Sequence, residues 1–238
     1  MTTLQLTERF EDHREIKNLM GKYVSSLLLN WEGKVYDSFW SKADDVCLGF
    51  NNGYYKGAEA VKGYYEAVAA ATAVKGKVLQ KIFPDELGKL SDEELYGVGP
   101  FEAKPLTSPY IIIADDRKTA KALWMSAGYN IDVETCGPVG HWCWGTFAVD
   151  FRLEDGQWKI WHLLYTLDVN NIGGQDWAAE PVPYEDLPEF AEIADIVIPE
   201  PNVKQEVRKL YSPDRPFTKL PPVPVAYATF ADTFSYGI

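Results

Sequence analysis

The sequence predicts an α+β domain with an antiparallel sheet, on three observations. Two stretches with helical periodicity come first, four long strand candidates follow in succession, and no strand–helix–strand alternation separates them. In the first helix, Ile16, Leu19, Met20, Tyr23, Val24, Leu27, Leu28 and Trp31 recur at three- and four-residue spacing. Thr7 or Asp12 is expected to cap it and Gly33 to end it, with a short helical turn through Tyr36, Phe39 and Trp40 beyond. Asp45 to Phe50 reads as a strand, and Asn51-Asn52-Gly53 as a hairpin turn into Tyr54-Tyr55-Lys56-Gly57. Ala-rich residues 58–73, with Val61, Tyr64, Tyr65 and Val68, form the second long helix. Residues 75–100 read as an irregular insert containing one helix capping box, Ser91-Asp-Glu-Glu94. The strand candidates are about 101–114, 118–133, 140–154 and 157–169, with turns at Asp115-Asp116-Arg117 and Glu154-Asp155-Gly156.

The expected division is a domain over 1–170 and a Pro- and aromatic-rich arm over 171–238. Ten of the fifteen prolines lie between Pro181 and Pro224. The same region carries Tyr184, Phe190, Tyr211, Phe217, Tyr227, Phe230, Phe234 and Tyr236, too many aromatics for a disordered tail, so the arm is expected to dock. Short helices are expected at Tyr184–Ile193 and Asn202–Tyr211.

Composition narrows the function classes. A net charge of −12 argues against nucleic acid or an anionic membrane as partner. No apolar run reaches the roughly 18 residues of a membrane span. The N-terminus lacks the layout of a signal peptide, and Cys47, Cys136 and Cys143 form no CxxC pair, which together point to the cytoplasm. Neither GxGxxG nor GxxxxGK[ST] occurs, so nucleotide cofactors of those classes are not expected. No spacing motif supports a metal, and no cofactor is expected at all. Aromatic residues make up 14% of the chain, which suits a large core, an aromatic-lined cavity, or both.

The order of features resembles the SnoaL-like branch of the nuclear transport factor 2-like superfamily over roughly residues 8–169. The carrying pieces are the helix with Tyr23, then Trp31 and Phe39-Trp40, then Gly-Tyr-Tyr-Lys-Gly and a helix, and above all the hairpin from Phe147 to His162. The resemblance implies a curved antiparallel sheet wrapped around the helices, a cone with one open apolar pocket, and a homo-oligomer (dimer or trimer) packed through the outer face of the sheet; the aromatic arm, which lies outside the resemblance, is expected to contribute to that oligomer. Members include scytalone dehydratase, ketosteroid isomerase, epoxide hydrolases and cofactorless lyases of diaryl compounds, and others that only bind ligands.

Against that frame, Trp158 and Ile160 match inward core positions. Strand alternation then turns His162 into the cone and places Trp161, Leu163, Tyr165 and Leu167 on the other face. His141, Cys143, Phe147, Val149 and Phe151 share a face of the preceding strand, which would bring His141 to the pocket's edge. An imidazole there is a plausible general base or acid, or else a hydrogen-bonded core residue. Tyr23 and Tyr54 or Tyr55 match pocket-lining positions where a phenol can donate to a developing oxyanion. Lys56 and Lys104 belong to the same region. Asp150 is expected to be solvated, and His13 is given no role.

Trp40, Trp124, Trp142 and Trp144 could stack on a substrate or pack in the core. The acid that many catalytic members carry late in the first helix is replaced by Leu28. That departure lowers isomerase and epoxide-hydrolase chemistry. The expectation is therefore a cofactor-independent lyase or dehydratase for an aromatic or apolar small molecule. His162, Tyr23, Tyr55 and His141 would be catalytic, and Trp40, Tyr54, Trp124, Trp144, Phe147 and Leu28 would line the site. Retro-aldol carbon–carbon cleavage is the specific form considered. A non-catalytic small-molecule-binding protein is the alternative.

Overall fold

The computed structural model describes residues 3–29, 32–176, 182–214, 216 and 221–238. Trp31, Pro181 and Phe217 lie outside the described residues. Among the described residues the α-helices are α1 (Thr3–Leu28), α2 (Glu32–Phe39), α3 (Ala58–Ile82), α4 (Pro84–Leu87) and α5 (Asp92–Leu95). The strands are β1 (Cys47–Phe50), β2 (Gly53–Lys56), β3 (Phe101–Ala103), β4 (Thr107–Ile113), β5 (Thr119–Glu134), β6 (Gly137–Glu154), β7 (Gln157–Ile172) and β8 (Val203–Lys204). They form one sheet in the order β3-β5-β6-β7-β1-β2-β8, with β4 also paired to β5. All pairs are antiparallel except β1 with β7, which is parallel. The α+β class and the helices-then-meander order are as the sequence predicts.

One face of this sheet packs on α1, α2 and α3. Ile16, Met20, Tyr23 and Leu27 of α1, and Val61 and Tyr65 of α3, meet Trp124, Phe147, Val149, Phe151, Trp158, Ile160, Leu163 and Tyr165 from β5, β6 and β7. Burying such side chains stabilises the fold by about 1.5–3 kcal/mol each before entropy is counted. Asp12 does not cap α1. It sits buried within the helix, accepting from Arg117 Nε at 2.8 Å and from Trp158 Nε1 at 3.1 Å, and so fixes α1 to the sheet. Gly33, expected as a helix end, lies inside α2.

The stretch 75–100 is more regular than expected. α3 runs on to Ile82 because Val78 and Leu79 bury against Val133, Phe190 and Ile193 in a second small core. Gly76 lets α5 come close: a Cβ there would collide with the Leu95 carbonyl. The Ser91–Glu94 capping box forms at the start of α5. The first expected strand is broken into β3 and β4 around Pro105, which cannot donate to a ladder.

The arm docks over both faces. A 3₁₀ helix (Pro188–Asp195) sits on α3 and β5, with Lys81 holding Glu192 through both carboxylate oxygens at 2.6 and 2.7 Å. Asn202–Tyr211 is not a helix; it contains β8, added beside β2. Arg208 Nη2 then reaches Asp168 Oδ1 at 2.5 Å. Residues 227–238 cross the sheet face opposite the helices. Among the described residues no helix is long and apolar enough to cross a membrane.

Candidate active site

The helix-facing side of the sheet encloses a cavity of about 50 Å³. Tyr23 and Leu27 come from one side of α1, four residues apart, while Tyr64, Tyr65 and Val68 come from α3. Phe147 and Tyr165 are direct cross-strand partners on β6 and β7, stacked with ring centroids 4.4 Å apart. Glu102 and Lys104, two residues apart at the end of β3, point the same way and close the rim. The cavity adjoins a vestibule of about 240 Å³ through Tyr64, Val68 and Glu102, which line both. Ile196 and Ile198 of the arm form part of the vestibule wall, with Lys75 and Asp132.

Lys104 Nζ lies 2.7 Å from Glu102 Oε1 and 4.7 Å from the centre of the Tyr165 ring. Burial alone would lower its pKa, but the Glu102 carboxylate outweighs burial and holds the ammonium above the ordinary lysine value. Lys104 is therefore a charged donor at neutral pH, not a nucleophilic amine. Tyr23 and Tyr65 share a hydrogen bond between hydroxyls at 3.1 Å. Burial pushes the Tyr23 phenol up to about 12, and Tyr65 and Tyr165 are raised as well. The Tyr165 hydroxyl is buried with no partner in hydrogen-bond reach among the described residues. A buried hydroxyl normally has a partner, so this one is open to an incoming polar atom. Charged donor, carboxylate acceptor and free phenol in an aromatic chamber suit proton transfer beside a developing oxyanion.

Several expected site residues stand elsewhere. His162 does not face the cone. In the β6–β7 ladder Asp150 pairs with His162 and Phe151 with Ile160, so Trp161 is the extra residue of a β-bulge. The bulge shifts the phase: Trp158, Ile160, Leu163 and Tyr165 face the helices, and His162 faces away. There His162 Nδ1 lies 2.8 Å from Asp150 Oδ2, and Lys121 Nζ lies 2.5 Å from Asp150 Oδ1. Asp150, expected to be solvated, is completely buried in this row. Residues 230–237 seal it. Ser235 Oγ is 3.1 Å from His162 Nδ1, and the Tyr236 amide donates to Asp150 at 2.8 Å. Phe230, Phe234 and Tyr236 surround the Lys121 ammonium with centroids 4.3–4.8 Å away.

His141 keeps to the helix-facing side but lies outside the cavity lining, with Nε2 2.8 Å from Glu134. Tyr55 is in the core and donates its hydroxyl to the Pro199 carbonyl at 2.6 Å, anchoring the arm. Tyr54, Gly49 and Leu164 are register partners across β2, β1 and β7, on the face away from the helices. Trp40 and Trp124 are core residues, whereas Trp144 is 46% exposed on the far face. Leu28 is 40% exposed; one helical step of about 100° past Leu27 turns it out of the chamber. Lys56 is exposed at the end of β2. Of the expected residues, the cavity brings together Tyr23, Phe147 and Lys104, and it adds Glu102, Tyr65 and Tyr165. The Glu-Ala-Lys-Pro run at a strand end was a visible signal for Glu102; nothing local marked Tyr65 or Tyr165. Among the described residues no group of three or more His, Cys, Asp or Glu side chains is placed to hold a metal.

No protein-family model matches the chain, and no curated protein matches it in sequence. In structure the chain is similar to the hexachlorocyclohexane dehydrochlorinase LinA-type3 from Novosphingobium barchaimii, at 13% identity and TM-score 0.47, covering 74% of this chain and 99% of that one. A second is a protein from Novosphingobium aromaticivorans provisionally assigned as a scytalone dehydratase, at 14% identity and TM-score 0.48, covering 75% and 97%. A third is an NTF2-like protein with a cystatin-like fold from Novosphingobium aromaticivorans, at 15% identity and TM-score 0.43, covering 70% and 90%. At these values the chemistry rests on this chain's own side chains.

Proposed function

We propose that the chain is a cofactor-independent lyase for an aromatic or apolar small molecule bearing a carbonyl and a nearby hydroxyl, with its site in the Glu102–Lys104–Tyr165 chamber. The observation that carries this is the unpartnered Tyr165 hydroxyl beside a charged Lys104 and the Glu102 carboxylate. Tyr165 would donate to the substrate carbonyl oxygen, Lys104 would supply positive field to the enolate that forms, and Glu102 would take the proton. Dehydration removes a proton from the carbon between carbonyl and hydroxyl-bearing carbon; the C–O bond breaks and hydroxide leaves as water after protonation. Retro-aldol cleavage removes the hydroxyl proton instead; the C–C bond breaks, an aldehyde leaves, and the enolate is reprotonated on carbon.

3-Hydroxy-1-phenylpropan-1-one reports both reactions, as phenyl vinyl ketone and water or as acetophenone and formaldehyde. Either product set supports a lyase and says which bond breaks. Glu102→Gln should lower kcat by about 10²–10⁴, the usual weight of a general base, with little change in KM. Tyr165→Phe should cost about 10²–10³ through loss of an oxyanion donor. His162→Gln, on the opposite face, should leave kcat within about threefold, far below what loss of a general base costs. Acetophenone binding in the chamber without turnover of any such hydroxyketone would instead identify a binding protein. Full turnover by a folded Glu102→Gln protein would remove Glu102 from the reaction.

A further inference from the structure

Both cations of the chamber and its vestibule are already spoken for. Lys104 pairs with Glu102 at 2.7 Å, and at the mouth Lys75 Nζ, its side chain only 14% exposed, lies 2.5 Å from Asp132 Oδ1. The four charges cancel, in a chain of net charge −12. A carboxylate ligand entering here would shed its hydration and find no uncompensated cation in return, which makes its burial costly. An uncharged carbonyl compound meets the Tyr165 hydroxyl and gives up far less water. Size acts in the same direction. A cavity of about 50 Å³ holds on the order of three to five waters, room for a carbonyl group and its first substituents. The about 240 Å³ vestibule is below the roughly 300–1,000 Å³ of drug-sized sites. Ile196 and Ile198 offer the body of a ligand an apolar wall there.

We infer that this site selects uncharged ligands of about one ring and excludes carboxylates of the same shape, with Asp132 setting the exclusion by neutralising Lys75. The inference rests on the chamber being the ligand site. It is tested with acetophenone and benzoate, which share a ring and a planar oxygen-bearing group but differ in charge, by calorimetric titration of the full chain at pH 7. The parent protein should bind acetophenone at least about tenfold more tightly than benzoate, an electrostatic discrimination of ordinary size. Asp132→Asn frees Lys75, and the ratio of the two affinities should move toward benzoate by about tenfold. Adding Lys75→Met should return the ratio to the parent's. Ile198→Trp, which fills the vestibule, should abolish acetophenone binding. Equal affinity for both compounds in the parent, or an unmoved ratio in a folded Asp132→Asn protein, overturns the selectivity while leaving the chamber as the site. Binding of neither compound by the parent overturns the chamber as a ligand site and the selectivity with it.

Discussion

Replacing Lys121 by methionine strands the Asp150 carboxylate beneath residues 230–237. Both side chains are completely buried, and Nζ and Oδ1 are 2.5 Å apart. Removing one partner of such a pair costs about 3–5 kcal/mol, because the remaining charge stays buried without compensation. For a chain of this size each kcal/mol is worth about 2–4 °C, so Lys121→Met should lower Tm by about 6–20 °C. Burial outweighs the attraction of Asp150 and lowers the Lys121 pKa, so desolvation of the ammonium exceeds what pairing returns. The double variant Lys121→Met/Asp150→Leu should therefore be milder than Lys121→Met alone. It still orphans the Tyr236 amide and the His162 Nδ1 contact, at about 1–3 kcal/mol. Urea unfolding followed by tryptophan fluorescence gives these differences from the midpoint and slope. A Lys121→Met protein within about 1 kcal/mol of the parent would refute the reasoning, as would a double variant that loses more than the sum of the single ones.

The remaining expectations concern protonation, thiol access and assembly. Burial raises the phenols of Tyr23 and Tyr227 to about 12, so the folded protein keeps protons that the unfolded chain releases above pH 10. Stability should thus be unaffected below pH 10 and fall as pH rises toward 12, with a late, cooperative rise in phenolate absorbance; smooth titration of all tyrosines near pH 10 would contradict this. Burial raises the Cys47 and Cys143 thiols to about 11, so a thiol reagent at pH 8 should modify half-buried Cys136 first and reach the other two only on unfolding, as peptide mapping would show. Tyr110, Met125, Trp142 and Trp144 stand exposed on the far face of β4, β5 and β6; light scattering should give a mass above the monomer, and Trp144→Asp should lower it.

The helices and strands were legible where periodicity was long: Ile16 to Leu27 along α1, and the alternation of β5 to β7, meet the same core from both sides. The Ser91–Glu94 box was readable because capping is local chemistry. α3 was harder to follow past residue 73, since Gly76 weakens the pattern and only the packing of Val78 and Leu79 under the 3₁₀ helix compensates. The inward facing that alternation predicts for His162 fails at one backbone detail. A single extra residue at Trp161 moves His162 to the other face, and bulges leave no mark in hydropathy. Tyr23 and Phe147 sit on regular elements whose inward face the periodicity shows, and both line the cavity. Simple alternation puts Tyr165 on the far face, and the same bulge turns it toward the helices.

The central claim is that ligands enter the chamber behind Glu102 and Lys104 and have no place beside His162. A crystal structure of the chain grown with acetophenone tests it most directly. The account predicts the ketone oxygen within hydrogen-bond distance of the Tyr165 hydroxyl, with the ring directed toward Ile196 and Ile198. Acetophenone seated instead beside His162 and Asp150, with residues 230–237 displaced, would contradict it.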